Sequence, residues 1–293
     1  MLRSKVLFFI IVVFFIHPVF AANWKTLHDK ASGINLNSVS ADALSKSVSQ
    51  DDLYVLGLVY LSARQEDKAK EVFIKVRKIA PSFFPAQWGV AEILRRKHDL
   101  EESKLILDEI IADHPEFIPA RLSRVYIYYL EGEFHKAMDL TQEIVDLGSE
   151  QMDKENYLRA ILMLTANKGM VAHYGGIIVK LSHGRKILPL LRKAQSLAPY
   201  DAQVYFGLGS YYLLSPTLVG GNKKLALEYL EKAKDKDPRF ADIYVRLAQA
   251  CRMNKDEEGF KKYLDWAFML DPGNELANDF KSGKCRFICP VGY

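Results

Sequence analysis

Apolar residues recur along most of this chain at the spacing of amphipathic helices, and prolines interrupt them at a fixed distance. Pro81 and Pro115 lie 34 residues apart, as do Pro238 and Pro272. Over 50–83, Leu53, Leu56, Gly57 and Tyr60 make one helical stripe, and Ala69, Phe73 and Val76 make a second before Pro81. The same positions return over 241–274 as Tyr244, Leu247, Ala248 and Cys251, then Phe260, Leu264, Ala267 and Pro272. Two stripes in each period predict a stack of antiparallel helix pairs, since neither helix can bury its apolar side alone. The prolines end the second helix of a pair, because the residue before a proline is pushed out of helical conformation. Gly57 and Ala69 are small where the paired helices must approach. Phe260 holds that place in the last unit, so packing there is expected to be looser.

The units run over about 50–83, 84–117, 118–151, 152–201, 202–240 and 241–274. The second keeps Val90, Ala91, Leu94, Ser103 and Leu107, and the third keeps Tyr128, Gly132, Ala137 and Ile144 without the closing proline. Two units are long. Gly169, Gly175, Gly176 and Gly184 break the periodicity of 167–184, which predicts a loop or lid, with the next helix starting near Arg185 so that Pro189 falls in its first turn. A shorter insertion, 215–222, has apolar residues expected to tuck against the stack and ends on Asn222, a suitable N-cap. A Ser-rich segment, 22–49, precedes the array, and a tail, 275–293, follows it.

This pattern resembles the tetratricopeptide repeat (TPR) family. The resemblance implies an all-α, right-handed superhelix (a solenoid) of about six helix-turn-helix units with a continuous core. The leader, the repeats and the Gly220-Gly221 insertion also resemble, more loosely, exported bacterial repeat proteins, including the T-component family associated with TRAP transporters.

Length and charge then sharpen the picture. A 293-residue chain suggests two domains by size alone, but the repeat makes it one elongated array. Arg3 and Lys5 precede an apolar run over 6–16, and small residues follow near Ala21, which is the order of a signal peptide cleaved after about residue 21. The run is too short to span a bilayer. Its removal leaves 38 Lys and Arg against 36 Asp and Glu, which gives bulk nucleic-acid binding no support. The mature protein is thus expected to be exported, soluble and periplasmic, without stable membrane insertion.

Three cysteines are too few for a disulfide scaffold. In an oxidising compartment Cys285 and Cys289 are expected to clamp the tail as a short disulfide, with free thiols or a metal as alternatives, while Cys251 sits on a core position. No zinc, nucleotide or hydrolase motif occurs. His173 and Tyr174 are the one polar-aromatic cluster in an irregular segment and have no located partner. No catalytic residue, cofactor or metal is assigned.

The TPR resemblance implies that the first helix of each pair lines a concave groove. Its residues here are Tyr54, Trp88, Arg95, Arg96, Tyr126, Tyr129, Phe206 and Arg252. Tyrosine, tryptophan and arginine supply most interface hot spots, so the expected function is a non-catalytic scaffold that binds another protein or an extended peptide. A small-molecule-binding transport accessory is the second reading, and an enzyme with its site under 167–184 the third. Tyr54 and Leu58 stand where chaperone-binding relatives carry a Lys and Asn clamp for a terminal carboxylate, so that function is not carried over.

Overall fold

A computed structural model describes residues 24–284 and 286–287; the leader, Cys285 and Cys289 lie outside them. Among the described residues all regular structure is helical. Two short helices, α1 (Trp24–Ser32) and α2 (Val39–Ser45), come first. Six pairs follow: α3 (Gln50–Ser62) with α4 (Glu66–Ile79), α5 (Phe84–Arg96) with α6 (Leu100–Asp113), and α7 (Ile118–Glu131) with α8 (Phe134–Asp146). Then come α9 (Lys154–Tyr174) with α10 (Ile177–Leu197), α11 (Ala202–Leu214) with α12 (Lys223–Lys236), and α13 (Ala241–Met253) with α14 (Glu257–Leu270). A last helix, α15 (Glu275–Ser282), packs on α13 and α14.

The repeat positions act as their spacing predicts. Phe73 of α4 is fully buried between Gly57 of α3 and Gly89 of α5; a Cβ at either glycine would lie 2.4 and 2.6 Å from its ring. The two glycines therefore set how closely α4 approaches α3 and α5. Buried residues then run as one core from Trp24 to Ala250. The last unit contributes a smaller cluster around Tyr244, Ala267 and Phe280, and Ala267 is the buried residue of α14. Phe260, too large for a close approach, instead meets Phe280 edge-on at 5.5 Å. Cys251 is only partly covered, and burial, with Asp256 beside it, pushes its thiol up to about 11.

The segment 167–184 corrects the sequence reading, because it is helix rather than loop. α9 runs unbroken to Tyr174 and α10 starts at Ile177, leaving Gly175 and Gly176 as the turn. Asn167, expected to open the loop, is buried inside α9 and donates to the Thr141 hydroxyl (3.1 Å). Burial of Met163, Leu164, Met170 and Val171 outweighs the roughly 1 kcal/mol that Gly169 costs a helix. Pro189 likewise lies well inside α10; the Arg185 carbonyl loses its amide partner where both residues are exposed and water can replace it.

The second insertion departs differently. Thr217–Val219 forms one 3₁₀ turn, and Leu218 and Val219 are exposed rather than tucked in. Tyr211 holds the turn by donating to the Val219 carbonyl (2.8 Å). Asn222 does cap α12, accepting from the Leu225 amide (3.1 Å).

Candidate functional site: an arginine-lined chamber

The turn between the two helices of a pair has one residue in left-handed conformation in five units, Gly220 (φ 103°) holding that place in the fifth. Gly132 (φ 87°) holds that place in the third, where glycine adopts it without strain, but Arg64 (φ 51°), His98 (φ 66°) and Lys255 (φ 61°) hold it in the first, second and sixth. Arg64 and His98 turn that costly conformation to use, because each reaches across the superhelix. Arg64 Nε donates to Asp237 (2.7 Å), and its guanidinium lies 4.5 Å from the Phe240 ring centre. His98 Nδ1 meets Glu275 at 2.6 Å and Nε2 meets Asp271 at 2.8 Å. Gly273 lies against the imidazole, where a Cβ would be 2.2 Å from the ring.

These contacts join residues 173 to 177 positions apart and bring the two ends of the concave groove together around a partly open chamber of about 1610 Å³. Hydrogen bonds to Asp271 and then Glu275 raise the His98 pKa from 6.5 to about 10. At neutral pH the ring is therefore an imidazolium, unable to act as a general base, and the cluster works as a charged clasp. Among the described residues no group of three or more His, Cys, Asp and Glu could hold a metal.

The clasp makes a pH prediction. A raised folded-state pKa stabilises the closed ring fully below about pH 6.5, and the stabilisation fades as pH climbs to about 10. His98→Gln should lower stability at pH 6 by roughly 2 kcal/mol, the worth of charge-assisted hydrogen bonds. The gap between the two melting curves should close by pH 10; a constant gap across that range would remove the clasp.

The chamber wall centres on Glu92, whose carboxylate is 1% exposed. Arg95 grips it twice (2.7 and 2.9 Å), Arg96 once (3.0 Å), and Arg159 from α9 approaches to 3.4 Å. Ser123 donates to it at 2.8 Å. Burial pushes the Glu92 pKa up, but Arg95, Arg159 and Arg96 together outweigh it and hold the carboxyl well below its usual range. Arg95 also lies 4.2 Å from the Tyr126 ring centre. Farther round, Tyr129, Arg246 and Phe206 face the same space. Phe287 of the tail stacks on Tyr129 at 5.4 Å, and the Tyr174 hydroxyl donates to the Arg286 carbonyl (2.7 Å).

Of the groove residues named from sequence, Arg95, Arg96, Tyr126, Tyr129 and Phe206 line the chamber. Tyr54 and Trp88 do not, because they are 0% and 3% exposed. Helix α1 fills their part of the groove: His28 lies between Tyr54 (Nε2 to hydroxyl, 3.0 Å) and Asn156, whose amide donates to Nδ1 (3.1 Å). Burial lowers the His28 pKa to about 4, so it stays neutral. Arg252 is also outside the chamber, with its guanidinium 4.1 Å from the Phe260 ring centre. His173, in the last turn of α9, lines the chamber in edge contact with Tyr174 (4.9 Å); burial and then Lys180 lower its pKa.

Sequence reasoning missed Arg159, Arg246 and His98. Arg159 and Arg246 were open to it, each five residues into the first helix of its unit. His98 was not, since its role depends on how far the superhelix turns.

No family model matches the chain, and no curated protein matches it. Among solved structures it is similar to the IFIT1 monomeric mutant with Gppp-AAAA (TM-score 0.54, 15% identity, 90% of this chain, 60% of that one). It is also similar to the APC/C hetero-tetramer Cut9-Hcn1 (TM-score 0.51, 17% identity, 88% of this chain and 47% of that one). This chain thus spans about half to three-fifths of those two. A third match is YrrB, a TPR protein with an unusual peptide-binding site (TM-score 0.35, 20% identity, 73% of this chain, 99% of that one). The fold is an all-α solenoid of the tetratricopeptide type.

Proposed function

We propose that this chain is a non-catalytic scaffold that encloses an extended, acidic segment of another protein in its concave chamber. The observation that carries the reading is the wall itself: Arg95, Arg159 and Arg246 line the same space of about 1610 Å³ as Tyr126, Tyr129 and Phe206. Small-molecule sites usually measure about 300–1,000 Å³, so this space suits several residues of extended chain. Planar guanidiniums favour carboxylates, and the aromatic rings supply contact area at low entropic cost. The leader pattern supports a periplasmic location, in which the partner would be another envelope protein.

Mild crosslinking in the native envelope, followed by purification, tests this. Crosslinked peptides should map to the chamber, and Tyr129→Ala with Phe206→Ala should reduce capture at least about tenfold while helicity by circular dichroism is kept. Unchanged capture rejects the chamber as the site. A partly enclosed cavity also suits the transport-accessory reading; native mass spectrometry that shows a retained small molecule and no peptide would establish that reading instead.

A further inference from the structure

The α9–α10 hairpin differs in charge from everything around it. No Asp or Glu occurs between Glu155 and Asp201, although seven Lys and Arg do. The rest of the chain carries 33 Lys and Arg against 36 Asp and Glu, so this one hairpin accounts for the positive balance. α8 brings Asp139 and Asp146 toward Lys168, which leaves Lys180, Arg185 and Lys186 as the exposed cations of the outer half.

The apex of that hairpin is aliphatic. Just past the Gly175-Gly176 turn, Ile177, Ile178 and Leu181 are 77, 78 and 61% exposed. Ile177, Leu181 and Arg185 are spaced four apart and share one side of α10, with Ile178 beside them. The helix thus presents an apolar tip backed by cations. Branched aliphatic side chains at an exposed helix start, followed within one turn by lysine and arginine, match what an anionic bilayer surface accepts: the apolar groups enter the acyl boundary and the cations meet phosphate. Two copies facing each other here would repel, and a nucleic acid would leave the aliphatic tip uncovered. Among the described residues no helix is long and apolar enough to cross a membrane, so the contact is peripheral.

We infer that the tip of the α9–α10 hairpin, through Ile177, Ile178 and Leu181 with Lys180, Arg185 and Lys186, docks this protein on an anionic phospholipid surface. Lys180, Leu181 and Arg185 also border the chamber, whereas Ile177, Ile178 and Lys186 do not; flotation with vesicles reads the docking in the absence of any chamber partner, which keeps the two readings distinguishable.

Flotation with vesicles tests the docking, using the chain from Ala22 onward, which keeps every described helix and lacks the apolar leader. The protein should float with phosphatidylcholine vesicles that contain about 30% phosphatidylglycerol and stay behind with phosphatidylcholine alone. Binding should fall severalfold in about 0.5 M salt, where charges are screened beyond about 4 Å. Ile177→Ser with Ile178→Ser and Leu181→Ser, and separately Lys180→Ser with Arg185→Ser and Lys186→Ser, should each reduce binding at least about tenfold. These positions are exposed, so circular dichroism should show both variants folded. No flotation on anionic vesicles overturns the inference. Undiminished flotation of either folded variant does so too, as does retention on a soluble polyanion that the aliphatic variant keeps in full while vesicle binding is absent.

Discussion

Replacing Glu92 with alanine is expected to cost about 3–5 kcal/mol of stability, because it leaves buried guanidiniums without their shared carboxylate. Arg95 is the most dependent, as it is gripped twice by Glu92 and its side chain is 11% exposed. Arg159 is next, since burial already lowers its pKa. Glu92→Gln should lose less, because the amide oxygen still accepts from Arg95 while the charge is gone. The two variants also separate by pH. A carboxylate with a depressed folded-state pKa stabilises fully above its ordinary value of 4.5, and this stabilisation is lost as pH falls toward the folded value. The wild-type advantage over Glu92→Gln, followed by urea unfolding, should therefore be greatest near neutrality and shrink below about pH 4.5. An advantage that grows on acidification would mean that Glu92 is not ionised in the fold.

Trp88→Ala is the second large effect, and it reverses what the repeat register implies. A groove residue would lose partner binding and keep its stability. Trp88 instead sits 5.5 Å from the His28 ring and 5.9 Å from Phe117, and its indole N–H donates to Ser123 (3.0 Å). Truncation opens a core cavity and strands the hydroxyl that supports Glu92, which together cost about 3–5 kcal/mol. In a chain of this size that lowers the melting midpoint by roughly 6–20 °C. Differential scanning calorimetry decides the matter: a drop under about 2 °C would return Trp88 to the groove surface.

The contrast between Trp88 and Phe73 shows how far the sequence is legible. Phe73 could be placed because its environment lies within one period, between the small residues of adjacent units. Trp88 has the right register for the groove, and only the arrival of α1 buries it. That arrival had a signal: Trp24, Leu27, His28 and Ala31 fall at i, i+3, i+4 and i+7, and all four are buried. The Ser-rich composition of 22–49 masked it. The glycines of 167–184 misled in the opposite direction, since Gly169 and Gly184 are carried inside long helices and only Gly175 and Gly176 make a turn. The chamber was legible as a list of arginines and tyrosines. Its closure was not, because no local rule gives the superhelical turn that brings His98 to Asp271.

That closure changes how the molecule comes apart. Solenoids whose repeats touch only their neighbours fray from the ends, and amide exchange then quickens toward the terminal units. Here the first two pairs are tied to the turns that flank the last one, so the array has no loose end at which fraying can begin. Amides in α3 and α13 should exchange at comparable rates, and His98→Gln should restore the gradient, with α13 to α15 exchanging first.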